Sequence, residues 1–173
     1  MLSQEQNDLI TRVGPGTSAG GLLRRYWQPV ALVDELSGTN RPIKPVKLLG
    51  ENLVLFRNEK GRYGLVERGC PHRGTDLAYG RLEGGGLRCA FHGWLFDTTG
   101  QCLETPAEPD GSNLCANIRQ KAYPVVERVA RATGLPTEQL IGNTAVLTKL
   151  SPADFADDRF GVPTVTDILA ELD

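Results

Sequence analysis

Cys70-Pro71-His72-Arg73-Gly74 and Cys89-Ala90-Phe91-His92-Gly93-Trp94 decide how this chain is read. The first stretch carries a C-x-H pair and the second a C-x-x-H pair, with sixteen residues between His72 and Cys89. Each pair sets one soft thiolate beside one imidazole, the two side chains most often used to hold iron or zinc. The chain contains only two histidines, and both lie in this pattern.

Four unrelated core and surface residues do not account for such tight pairing. A structural zinc site accepts two Cys and two His, but the usual finger order places a Cys pair before a His pair. Here each loop is mixed. Mixed loops suit a Rieske-type [2Fe–2S] cluster, in which one iron takes two Cys and the other two His. Gly69, Gly74 and Gly93 are expected to let backbone N–H groups approach the cluster sulfurs. Zinc remains the second reading, and haem would require both histidines to leave the constellation.

The surrounding composition is that of a globular protein: 40% hydrophobic, 23% charged, net charge −2. That balance argues against nucleic acid or an acidic membrane as the main partner. The first eight residues contain neither a basic nor an apolar segment of a secretory leader, and no apolar stretch approaches a membrane span. A cytoplasmic protein is expected. In that compartment Cys102 and Cys115 read as free thiols in or near the core.

Outward from the motif, residues 3–12 read as a short helix with Ser3 as N-cap, ended by Gly14-Pro15-Gly16. A second short helix is expected over 18–25. Short β-like runs follow at 27–33, 46–49, 52–57, 63–67, 87–90, 94–96 and 101–103, with turns at 58–61, 84–86 and 98–100. This spacing predicts an antiparallel sandwich. Beyond 127, Ser151 and Thr164 look like N-caps of helices in a locally acidic tail.

Arg25-Tyr26-Trp27-Gln28-Pro29-Val30, Cys70-Pro71-His72-Arg73-Gly74 and Cys89-Ala90-Phe91-His92-Gly93-Trp94-Leu95-Phe96-Asp97 resemble the N-terminal part of a Rieske non-haem iron ring-hydroxylating oxygenase α-subunit, of the phthalate-oxygenase-like group. The resemblance covers about residues 1–127. It implies an all-β Rieske domain at 27–127, behind an N-terminal helical arm at 1–26. It implies that Cys70 and Cys89 hold an inner iron and that His72 and His92 hold an outer one. It further implies electron entry from a reductase or ferredoxin and delivery to a mononuclear iron in an oxygenase catalytic domain, in the catabolism of aromatic compounds, with oligomers compatible.

Respiratory Rieske proteins carry an extra Cys in each loop; Thr75 and Phe91 occupy those positions here. Trp94 stands where those proteins place a Ser that hydrogen-bonds the cluster. Fewer hydrogen bonds to sulfur point to a potential toward about −150 mV, the lower end of the Rieske range.

With both histidines used, these residues cannot supply the two-His-one-carboxylate triad of an oxygenase. No catalytic residue is assigned, and no self-sufficient oxygenase is expected. A stand-alone Rieske-type ferredoxin is the first alternative. The second is a non-enzymatic interaction protein acting through its tail. Residues 122–173 resemble part of a Tex-type transcription accessory protein, through Tyr123-Pro124-Val125-Val126-Glu127-Arg128, Leu140-Ile141-Gly142-Asn143-Thr144-Ala145 and the stretch at 157–169. The chain thus reads as a chimera whose helical, loosely attached tail occupies 128–173. A strand and a helix compete for 123–128, and the β-core is expected to prevail to about 123.

Overall fold

The computed structural model describes residues 2–37, 39–109, 111–129, 144–148 and 150. The N-terminal arm opens with α1 (Gln4–Thr11), capped as expected: the Ser3 hydroxyl accepts from the Gln6 N–H, and the Gln6 side chain returns to the Ser3 N–H. Helix α2 (Ser18–Leu23) is capped by Thr17, whose side chain accepts from the Gly20 N–H. The arm is fastened by Arg24, which donates to the carbonyls of Val13, Gly20 and Leu49 and to Glu51.

The central sheet contains β2 (Ile43–Leu48), β3 (Glu51–Arg57), β4 (Tyr63–Glu67) and β9 (Ala122–Tyr123), in the order β2-β3-β4-β9 and antiparallel throughout. Leu53 to Phe56 are all fully buried, so both faces of β3 are covered. Alternation sends the two sets of side chains to opposite faces. Val54 and Phe56, with Val66, enter one core with Leu77, Leu87, Trp94 and Phe96. Leu53 and Leu55, with Leu65, enter a second core with Leu36, Tyr123 and Leu150.

The first core lies toward a small antiparallel sheet formed by β5 (Arg81–Glu83), β6 (Gly86–Arg88), β7 (Leu95–Phe96) and β8 (Cys102–Glu104). Its first turn is tied to the β3–β4 turn: buried Asn58 donates to the Gly85 carbonyl while its Oδ1 accepts from the N–H groups of Lys60 and Arg62. A four-residue helix, α4 (Leu114–Asn117), packs beside β8.

The second core lies toward a three-stranded antiparallel sheet in the order β1 (Gln28–Leu32), β11 (Thr144–Thr148), β10 (Val125–Val129). Between β1 and β2 sits α3 (Asp34–Ser37), which buries Leu36. These are the antiparallel sheets the sequence predicts. The expectation fails at the joint: the chain is a strand through Val129, and Thr144–Thr148 is a strand inside the segment read as helical tail. Once β1 and β10 lie apart, a strand between them pairs both exposed edges, and this outweighs the local helix signal of Pro124. Thr148 is fully buried, its hydroxyl donating to the Pro124 carbonyl 2.7 Å away. The helices expected from Ser151 and Thr164 lie outside the described residues.

Candidate metal centre

Two loops at one end of the first core bring the four predicted donors together. The first runs from β4 to the 3-10 helix Leu77–Tyr79, and the second from β6 to β7. In the first, the Cys70 N–H donates to the Thr75 carbonyl and the Gly74 N–H to the Cys70 carbonyl, both at 2.8 Å. In the second, the Cys89 N–H donates to the Trp94 carbonyl at 2.8 Å. Each loop turns back through a glycine with positive φ, Gly74 at 71° and Gly93 at 74°, a region costly for other residues.

The donors separate by kind. Cys70 and Cys89 are buried in the same core. His72 and His92 are half-buried at the rim, their ring centroids 4.5 Å apart. Burial pushes the Cys70 thiol up to about 11, with Cys89 adding to the rise, while the N–H groups of His72 and Arg73 oppose it by donating to the sulfur. Those two amides are backbone N–H groups of the kind the loop glycines were expected to let approach the sulfurs. Gly74 spends its own N–H on a carbonyl. His92 is held below the ordinary imidazole value by desolvation, then by His72 and Arg73, which favours the neutral form able to ligate metal.

Trp94 backs the site. It is buried, and its ring stacks on His72 with centroids 4.4 Å apart and planes 7° apart. On the solvent side, Phe91 is exposed and tilts against His92. Arg73 is exposed as well.

Three supports went unseen in the sequence. Arg68 crosses the base of the first loop to Asp76, with contacts of 2.9 and 2.6 Å, and Asp76 in turn caps Ala78. Buried Arg88 clamps the second loop through the Gly93 carbonyl, Glu83 and Glu104. Buried Gln120 donates to the carbonyls of Glu67 and Gly69 at 2.6 and 2.8 Å, fixing the entry to the first loop. Arg68 two residues before Cys70 and Arg88 directly before Cys89 are the one sequence signal pointing to two of them.

Among the described residues, no three His, Cys, Asp or Glu side chains gather as a single-ion site. A buried sulfur pair with an imidazole pair outside it instead matches a binuclear cluster that asks for two donors on each iron. The residues present fit that group.

Fold and donor set together define a Rieske-type iron–sulfur domain. The family model for the Rieske [2Fe–2S] domain matches residues 26–124, and the chain belongs to that family. An HHH domain model matches residues 121–173, overlapping the first by four residues. The chain is 50% identical over 129 residues to the 5,5'-dehydrodivanillate O-demethylase oxygenase subunit of Sphingobium sp. (strain NBRC 103272 / SYK-6), covering 72% of this chain and 30% of that protein. It is 42% identical over 123 residues to the phthalate 4,5-dioxygenase oxygenase subunit of Pseudomonas putida, covering 71% and 28%. Among solved structures, NdmA of Pseudomonas putida CBB5 is similar, with a TM-score of 0.60 and 28% identity over 78% of this chain and 37% of that one. The chain thus spans about 30% of the length of the curated relatives it matches. No helix among the described residues is long and apolar enough to cross a membrane.

Proposed function

We propose that this chain is the electron-entry domain of a Rieske oxygenase, with Cys70 and Cys89 holding the inner iron and His72 and His92 the outer one. The observation that carries the reading is the segregation of the donors: two cysteines buried in one core, and two imidazoles 4.5 Å apart at the rim. When bound, the cluster supplies a one-electron couple. The chain's own residues do the rest. His72 and His92 sit where a redox partner can approach, Trp94 keeps water from the inner face of His72, and the His72 and Arg73 amides stabilise negative charge on Cys70 sulfur.

The donor is a reductase or ferredoxin, and the acceptor a mononuclear iron in an oxygenase catalytic domain. Relatives named as O-demethylase and dioxygenase oxygenase subunits support an aromatic substrate for the assembled enzyme, and the setting we propose is cytoplasmic. Both histidines of these residues belong to the cluster loops, so the acceptor's histidine ligands lie outside residues 1–173. Iron and acid-labile sulfide analysis, with EPR of the reduced protein, tests the assignment. Equal iron and sulfide with a mixed Cys/His reduced signal is expected; one zinc and no sulfide overturns it.

A further inference from the structure

The two cysteines left out of the cluster set meet each other. Cys102 opens β8 and Cys115 lies in α4, and their sulfurs are 3.3 Å apart as free thiols. The backbone holds this approach. The Cys102 N–H donates to the carbonyl of Ile118, the residue that ends α4 by donating its own N–H to the Cys115 carbonyl, so the strand is tied to the C-terminal end of the helix that carries Cys115. Cys102 is buried in the same core as Cys70 and Cys89, and it senses the charge of Cys70. Cys115 packs against that core from outside. It is the only one of the four cysteines that is not buried.

We propose that Cys102 and Cys115 form a redox-active dithiol, which hydrogen peroxide oxidises to an intrachain disulfide behind the cluster cysteines. An oxidant entering from solvent meets Cys115 first, and the resolving thiol is already in van der Waals contact. The Cys115 sulfur attacks a peroxide oxygen; the O–O bond breaks, giving a sulfenic acid and one water. The Cys102 sulfur then attacks the Cys115 sulfur; the S–O bond breaks and a second water leaves, carrying the last thiol proton. Two thiols lose two electrons, and one peroxide becomes two waters. A small rotation of each side chain brings the sulfurs to bonding distance, because the backbones already lie side by side. The pair so placed takes oxidising equivalents before Cys70 or Cys89.

The test uses the full chain loaded with its cluster. One equivalent of hydrogen peroxide is added, free thiols are alkylated, and the digest is read by mass spectrometry. A Cys102–Cys115 linked peptide, lighter by two hydrogens than its two thiol peptides and restored by dithiothreitol, is expected while cluster absorbance persists. In the Cys102→Ser variant the link disappears and dimedone traps a sulfenic acid at Cys115. Full alkylation of both thiols after peroxide overturns the proposal, as does a disulfide found only with Cys70 or Cys89 after bleaching. Iron and sulfide content is read separately, so failure of the cluster assignment is distinguishable from failure of the dithiol.

Discussion

His72 lies flat on Trp94, with ring centroids 4.4 Å apart and planes 7° apart, so one cluster loop supplies the wall behind the other loop's ligand. The stack orients an imidazole otherwise held only by its backbone and by His92. Replacing Trp94 with Ala opens a cavity in the first core and costs about 3–5 kcal/mol. Trp94→Phe keeps an aromatic face and is expected to lose less than half of that. Thermal unfolding ranks the two variants, and the rate of visible-absorbance bleaching should follow the same order. Equal bleaching in both variants and wild type would show that the stack does not steady the ligand.

The four donors make a sharper prediction. In the proposed ligation, Cys70→Ser, Cys89→Ser, His72→Ala and His92→Ala would each remove one bond from an iron with only two protein ligands. Each variant is expected to lose the cluster's iron and sulfide and its visible spectrum. Far-UV circular dichroism should retain the β signal, since the second core contains none of the four donors and Val54, Phe56 and Val66 still fill the first. A full iron complement in any one of them would remove that residue from the ligand set.

Arg88 gathers Glu83, Glu104 and the Gly93 carbonyl around one buried guanidinium. Arg88→Met fills much of the volume but leaves that carbonyl without its donor, at a cost of about 2 kcal/mol. Both carboxylates are partly exposed and can rehydrate, which keeps the cost from rising further. The variant is expected to unfold earlier in urea and to bind cluster with the second loop less ordered, read as broadened EPR features.

The Rieske family was legible because each Cys-His pair is local: two or three residues of separation carry the signal, whatever sheet surrounds it. The strand at 51–57 was legible for the same reason, its apolar run from Leu53 to Phe56 being continuous. Gln120 was not, because its meaning lies 51 and 53 residues away at Gly69 and Glu67, and no local pattern marks it. Arg81–Glu83 and Ala122–Tyr123 are too short for alternation to show. The strand Thr144–Thr148 was hidden by a likeness that pointed to helix, although β1 and β10 present the edges that it fills.

Glu51 joins the N-terminal arm to the central sheet, accepting from Arg24, Lys121 and Tyr123. Burial raises its pKa, but Lys121, Tyr123 and Arg24 more than reverse that and leave it below the ordinary carboxylate value. A carboxyl depressed on folding contributes its full stability above its unfolded value, near about 4.3, and loses it as pH falls from there through the folded value. Urea denaturation between pH 6 and pH 3 should therefore show stability declining below about pH 4.3. Glu51→Gln is expected to be less stable by about 2 kcal/mol at neutral pH and to show a shallower acid decline. An unchanged acid slope would place the sensitivity elsewhere, Asp76 beside Arg68 being another depressed carboxylate.

Leu150 decides whether the segment after β10 belongs to the fold. It is 3% exposed and packs in the second core with Leu36, Leu53, Leu55, Leu65 and Tyr123, just beyond the strand that pairs β1 and β10. A loosely attached tail would tolerate its truncation; a core leucine would not. Leu150→Ala is expected to cost about 3 kcal/mol, as for other buried leucines. Ending the chain after residue 127 removes β11 altogether and leaves two bare strand edges, so that form should aggregate or unfold at temperatures the full chain survives. Thermal unfolding of the two forms checks both statements. A truncated chain as stable as the full one would restore the boundary at 127.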